Sequence, residues 1–137
     1  LTIGYAIGRI GCQLAGDGDY GVPTDLPWGM AYPDGVVPTT QIVHPAPVYE
    51  TLMGLAILAV LWSSRKALSA YRPGLLFCLY LILAGAAQFG VETIRLNPEV
   101  LFGLTGAQLF STGIMITGVG LGLRLLSKPL GTGQPSA

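Results

Sequence analysis

Long, mostly apolar runs alternate along this chain with segments that collect glycine, proline and most of the few charges. One run covers roughly Val48 to Ser64, "VYETLMGLAILAVLWSS", with Trp62 near its end as an interface anchor. A second covers Gly74 to about Ile94, and a third about Val100 to Leu126. Each reaches the ~17–25 residues that a helix needs to cross the hydrocarbon of a bilayer. The opening "LTIGYAIGRI" reads as the end of a fourth span. The pattern therefore predicts an all-α fold, a polytopic transmembrane helix bundle with three complete spans plus that end. Residues 1–126 form the membrane domain, residues 12–47 an extracytoplasmic loop within it, and residues 127–137 a cytoplasmic tail. The tail ends in polar "GTGQPSA" and is expected to be disordered. Because Leu1 already lies inside an apolar segment, and no basic leader or small-residue cleavage site precedes it, a fragment lacking its upstream part is expected.

Composition narrows the choice of solvent. Charged residues are 10% of the 137, against ~25% in soluble domains. Mean hydropathy is +0.60. A buried core helix of a soluble protein could explain one such run, but not three with so little charge between them. Net charge is zero and no basic patch exists, so nucleic acid is excluded as a partner. One histidine and two distant cysteines supply neither a disulfide framework nor a tetrahedral zinc set. No metal and no cofactor is expected, and Cys78 reads as a small buried hydrophobe.

The remaining charges set orientation. Arg65, Lys66 and Arg72 cluster between the first and second spans, and Arg124 and Lys128 close the third. Connections 12–47 and 96–104 carry acids and no Lys or Arg. The positive-inside rule then places the basic connection and the C-terminus in the cytoplasm. The loop "GDGDYGVPTDLPWGMAYPDG" faces outward, with glycines and prolines suited to tight turns and Trp28, Tyr20 and Tyr32 suited to headgroup depth.

Four charges do not fit a simple connection: Arg9, Glu50, Glu92 and Arg95. Each sits at the outward end of an apolar run, so all four converge on one leaflet. An arginine in a span costs ~2.5–3.5 kcal/mol on insertion scales. It is kept when it pairs or binds something. Arg9 with Glu50 and Arg95 with Glu92 could simply be ion pairs between helices, and Arg95 could snorkel to the interface. Glu92 and Arg95 are three apart and share a helix face.

"HPAPVYE", residues 44–50, tips this balance toward function. The chain's only histidine stands before a span whose entry is set by Pro45 and Pro47, and Tyr49 and Glu50 follow it into the membrane. Two guanidinium forks at this depth suit the phosphate of a lipid headgroup, because they bind its oxygens bidentately and stay charged.

"GRIG", "HPAPVYE" and "FGVETIRLNPEVLFGLTGAQLFS", in that order, make the chain similar to the bacterial prolipoprotein diacylglyceryl transferases over about residues 4–125. The resemblance implies a bundle of about seven transmembrane helices, with the site open to the outer leaflet and periplasm of the inner membrane. It implies transfer of diacylglyceryl from phosphatidylglycerol to the lipobox cysteine of a prolipoprotein signal peptide, forming a thioether. By the same resemblance Arg9 lies near the lipid phosphate, Arg95 is the essential arginine of the penultimate span, and His44, Tyr49 and Glu50 match the family's "HPSQLYE". Glu92 matches the glutamate of its "E-x-x-R", and Asp17 falls near the acid of its "NGE".

The chain also departs from the pattern. Cys12 stands where the family usually has asparagine, and "LAGDGDYG" is one residue longer than its counterpart. In the family, upstream helices carry a further histidine motif that could supply the base in place of His44. These departures keep a non-catalytic lipid-binding paralogue open, beside a headgroup transferase. A transporter would instead string its charges through the membrane depth.

Overall fold

The computed structural model describes residues 1–95 and 97–129. The polar tail from residue 130 onward, including the expected disordered "GTGQPSA", lies outside the described residues. Helix α1 covers Thr2–Ala15, α2 Ala46–Tyr71, α3 Leu75–Glu92 and α4 Gly106–Ser127. The last three are long and apolar enough to cross a membrane. Side chains such as Leu52, Trp62, Phe77, Phe110, Ile116 and Leu123 stand exposed along them. In water that much exposed apolar surface would drive association, whereas in lipid it is the expected outer face.

Local chemistry explains most of the boundaries. Gly16 ends α1 in the left-handed conformation at φ 58°, its N–H donating to Cys12 O at 3.0 Å. Pro45 and Pro47 open α2, where no intrahelical N–H is owed. Arg72, Pro73 and Gly74 turn the chain back into α3, with Gly74 at φ 94°. Thr105 caps α4: its hydroxyl accepts from Gln108 N, while the Gln108 side chain accepts from Thr105 N.

Several boundaries differ from the sequence expectation: α1 runs on to Ala15, inside the expected loop, α3 stops at Glu92 short of Ile94, and two further differences are larger. Helix α2 continues past Ser64 to Tyr71, so Arg65 and Lys66 lie on a helix rather than in a connection. Arg65 lays its guanidinium over the Trp62 ring at 3.7 Å and donates to Trp62 O. Such amphipathic side chains let a helix leave the apolar layer without ending. The third span begins at Gly106 rather than near Val100. The residues before it form a hairpin, β3 (Glu99–Leu101) with β4 (Leu104–Thr105), turned by Phe102 and Gly103, both at positive φ.

The outward loop holds a second hairpin, β1 (Met30–Tyr32) antiparallel to β2 (Thr39–Val43). Tyr32 donates to Gln13 Oε1 at 2.9 Å, tying this hairpin to the end of α1. Burial pushes the Tyr32 hydroxyl above its ordinary range, so it keeps the proton it donates.

Helix α3 packs on α4 and α2, and α2 packs on α1. Small residues set the close approaches, as membrane bundles require. A Cβ added at Gly85 would lie 2.9 Å from Ser111 O and 2.6 Å from Met115 Cγ. One at Gly118 would lie 3.0 Å from Cys78 O. Cys78 is buried at that contact. Gly85→Val should therefore separate α3 from α4 and cost about 1–3 kcal/mol. Thermal unfolding in detergent checks this; an unchanged midpoint would show that the helices do not meet there.

Candidate functional site

Because the chain reverses at each connection, the C-termini of α1 and α3 and the N-termini of α2 and α4 share one end of the bundle. Arg9 comes from the third turn of α1, Glu50 from the first turns of α2, and Arg95 from the turn that follows α3. The Glu50 side chain is 1% exposed. Its Oε2 accepts from Arg9 Nε at 3.1 Å and Arg95 Nη2 at 3.2 Å. Its Oε1 accepts from the Tyr5 hydroxyl at 2.9 Å. One buried carboxylate thus joins three elements, and every bond it makes is to a strong donor.

A second acid closes the arrangement from the loop side. Asp19 Oδ2 bonds Arg9 Nη1 and lies 3.4 Å from Arg95 Nη2. The Asp19 side chain is 37% exposed, against 18% for Arg9 and 11% for Arg95. Two guanidinia and two carboxylates balance to zero charge. Arg95 Nε is enclosed and has no hydrogen-bond partner among the described residues.

The loop reaches this position through backbone pairing. Val22 N donates to Ile94 O at 2.8 Å, Gly21 N to His44 O at 2.8 Å, and Gly21 bridges Arg95. Gly21 is required by space, since a Cβ there would stand 2.6 Å from Ile94 O. This explains why the acidic loop ends in glycine.

His44 and Tyr49 form a separate chain beside the arginines. Trp28 Nε1 donates to the Tyr49 hydroxyl at 2.8 Å, and that oxygen lies 3.1 Å from His44 Nδ1. Tryptophan only donates. Either Tyr49 passes its own proton to Nδ1, or Nδ1–H donates to Tyr49 and Nε2 is left as an acceptor.

Glu92 departs from its expected place. The helix spacing suggested a pair with Arg95, yet among the described residues no ion pair joins them. Glu92 Oε1 instead accepts from Asn97 Nδ2 at 2.6 Å and Thr105 Oγ1 at 2.8 Å. Helix α3 ends at Glu92, so Arg95 has left the helix and the three-residue spacing no longer places the two on one face. Glu92 ties the start of α4 to the turn that carries Arg95. Asp17 is exposed, and its Oδ1 accepts from Asp19 N at 3.3 Å, shaping the loop without touching either arginine. Sequence reasoning named none of Asp19, Tyr5 and Trp28 as a site residue. Tyr5 was within reach, since it lies one helical turn before Arg9 and its ring stacks under that guanidinium at 5.2 Å.

Cys12 Sγ and the carboxylates of Asp17 and Asp19 lie within 4.8 Å of one another. Arg9 Nη1 already bonds Asp19 and stands 3.9 Å from Cys12 Sγ. A positive charge therefore stands against this group and would oppose a bound cation. Below the charged group, an apolar cleft of about 300 Å³ runs between the helices from Tyr5 and Glu50 past Gly54, Tyr80 and Gln88 to Phe110.

Known proteins share this sequence pattern. The family model described as prolipoprotein diacylglyceryl transferase matches residues 1–124. A phosphatidylglycerol–prolipoprotein diacylglyceryl transferase of Gloeobacter violaceus is 36% identical over 126 residues, covering 88% of this chain and 46% of that enzyme. One of Solidesulfovibrio magneticus is 38% identical over 129 residues, covering 86% and 45%. One of Prochlorococcus marinus is 31% identical over 111 residues, covering 76% and 37%. The chain spans less than half the length of these relatives. No solved structure gave a significant match. With its three spanning helices, the chain is a multi-pass membrane protein.

The geometry makes Glu50 the anchor of the group. Glu50→Ala leaves two enclosed guanidinia without their shared acceptor and should cost about 3–5 kcal/mol. Asp19→Ala, at a partly exposed position, should cost about 1 kcal/mol or less. Thermal unfolding of both variants in detergent checks the asymmetry; equal losses would refute it.

Proposed function

The chain belongs to the prolipoprotein diacylglyceryl transferase family, and from that premise we propose that it moves diacylglyceryl from phosphatidylglycerol to the lipobox cysteine of a prolipoprotein signal peptide. The observation that carries the reading is the convergence of Arg9 and Arg95, at 3.1 and 3.2 Å, on one carboxylate oxygen at one end of a membrane bundle. The site faces the periplasm and outer leaflet of the inner membrane, and the C-terminus is cytoplasmic. The basic residues of the opposite helix ends, Arg65, Lys66, Arg72 and Arg124, support that orientation.

The reaction asks for a leaving group held by positive charge and a thiol made into a thiolate. The lipid phosphate lies against Arg9 and Arg95, with its acyl chains in the apolar cleft below Glu50. The substrate cysteine's thiolate attacks the glyceryl carbon bonded to the phosphate oxygen. A C–S bond forms, the C–O bond breaks, and the electron pair leaves on glycerol phosphate. The guanidinia stabilise the charge that grows there. The thiol proton goes to His44 Nε2 in the tautomer whose Nδ1–H donates to Tyr49. Tyr49 and Trp28 hold that ring in place. Glu50 fixes the two arginines from behind, and Glu92 fixes the turn bearing Arg95. Asp17 shapes the mouth through its bond to Asp19 N. The step requires neither metal nor cofactor.

Full-length protein in phosphatidylglycerol vesicles should add a diacylglyceryl mass to a lipobox peptide. Absence of that product from folded protein would leave a non-catalytic lipid binder. Arg9→Ala and Arg95→Ala should each lower kcat/KM by about 100-fold or more. Near-normal turnover in either variant removes that arginine from phosphate stabilisation. His44→Gln should lower kcat by about 100-fold and leave KM for the lipid near its original value. Retention of kcat would place the base elsewhere.

A further inference from the structure

In this structure both arginines are already occupied by an anion of the protein's own. Asp19 contacts both through a single oxygen, Oδ2. Glu50 does the same from the buried side. The two acids differ in how they are held. Glu50 is enclosed on a helix and takes a third bond from Tyr5. Asp19 is partly exposed, and its carboxylate has no partner among the described residues besides the two arginines. Its segment is held by side chains, the Tyr20 hydroxyl donating to Val37 O at 3.0 Å and the Tyr20 ring stacking on Tyr32, rather than by its backbone. Among the described residues, backbone groups of 17–20 make no backbone hydrogen bond, whereas Gly16 and Gly21 on either side do. Gly18, at φ 92°, allows the segment a backbone path that other residues resist.

We propose that Asp19 is a resident anion that occupies the phosphate position until a ligand phosphate displaces it. The inference rests on the phosphate-binding reading above and adds a competitor to it. Exchange keeps the site neutral, one negative charge replacing another. It also improves the fit. Asp19 reaches both guanidinia with one oxygen only. A phosphodiester offers two unesterified oxygens, one for each guanidinium. While the site is empty, Asp19 spares two facing guanidinia their mutual repulsion. Its cost falls on affinity, because the observed dissociation constant rises as the competent fraction falls. A neutral glyceride, with no charge to replace Asp19, cannot displace it.

Full-length wild type, Asp19→Asn, Asp19→Ser and Arg95→Ala in a phosphate-free maltoside detergent are each titrated with inorganic phosphate and, separately, with short-chain phosphatidylglycerol. Asp19→Asn should bind about tenfold tighter than wild type, the scale of one charge-assisted hydrogen bond, and Arg95→Ala should bind more weakly. Asp19→Ser should follow Asn, so the result does not hang on one variant's folding. A gain with the lipid alone assigns the site to a headgroup, a gain with phosphate alone to the free anion, and either supports the exchange. Unchanged or weaker binding in both Asp19 variants, with wild type still binding, overturns the resident-anion role and leaves the phosphate site standing. Failure of wild type to bind either probe overturns both.

Discussion

A carboxylate taken out of water is costly unless strong donors replace its hydration. Glu50 satisfies that condition with bonds from Tyr5, Arg9 and Arg95, and in doing so joins α1, α2 and the turn after α3. The same condition acts on the arginines, which need an acceptor wherever water is scarce. Neither helix end can move without breaking these bonds. This shared oxygen is what the rest of the charged end is arranged around. The loop comes down to supply a second acid, and the turn after α3 is held where Arg95 can reach.

That turn is secured twice. Glu92 holds Asn97 and the cap of α4 through one oxygen. From the other side, Gly21 and Val22 pair with Arg95 and Ile94 as an added strand would. The absence of a side chain at Gly21 lets the loop backbone approach that closely. The glycine-rich acidic loop is therefore a structural partner of the arginines, beyond being the mouth of a site. The Trp28–Tyr49–His44 chain ties the same loop to the start of α2.

The two acids of the group are held differently. Glu50 is enclosed and takes a third donor, whereas Asp19 is partly exposed and its carboxylate meets only the two arginines among the described residues. Under the proposed function, that difference would let the site be stable while empty and yet admit a charged ligand. The apolar cleft beneath it fits the proposed lipid substrate, which would bring both an anion and chains that need an apolar lining.

The sequence by itself determined the membrane bundle, its three long spans and the gathering of charges at one end. Hydrophobic run length and the alternation of connections are one-dimensional quantities, and a bilayer imposes them directly. Motif order likewise pointed to Arg9, Arg95 and "HPAPVYE". What only the tertiary structure decided was the pairing. Glu92 and Arg95 share a helix face only while the helix lasts, and α3 stops between them, so Glu92 went to Asn97 and Thr105 instead. Asp19 rather than Asp17 met the arginines because the left-handed Gly16 and Gly18 set the direction of each residue in the loop. The extension of α2 past Ser64 and the hairpin before α4 were likewise hidden, because snorkelling side chains and a cap override composition locally. Partners distant in sequence are chosen by the directions of backbone turns, and spacing along the chain does not record those directions.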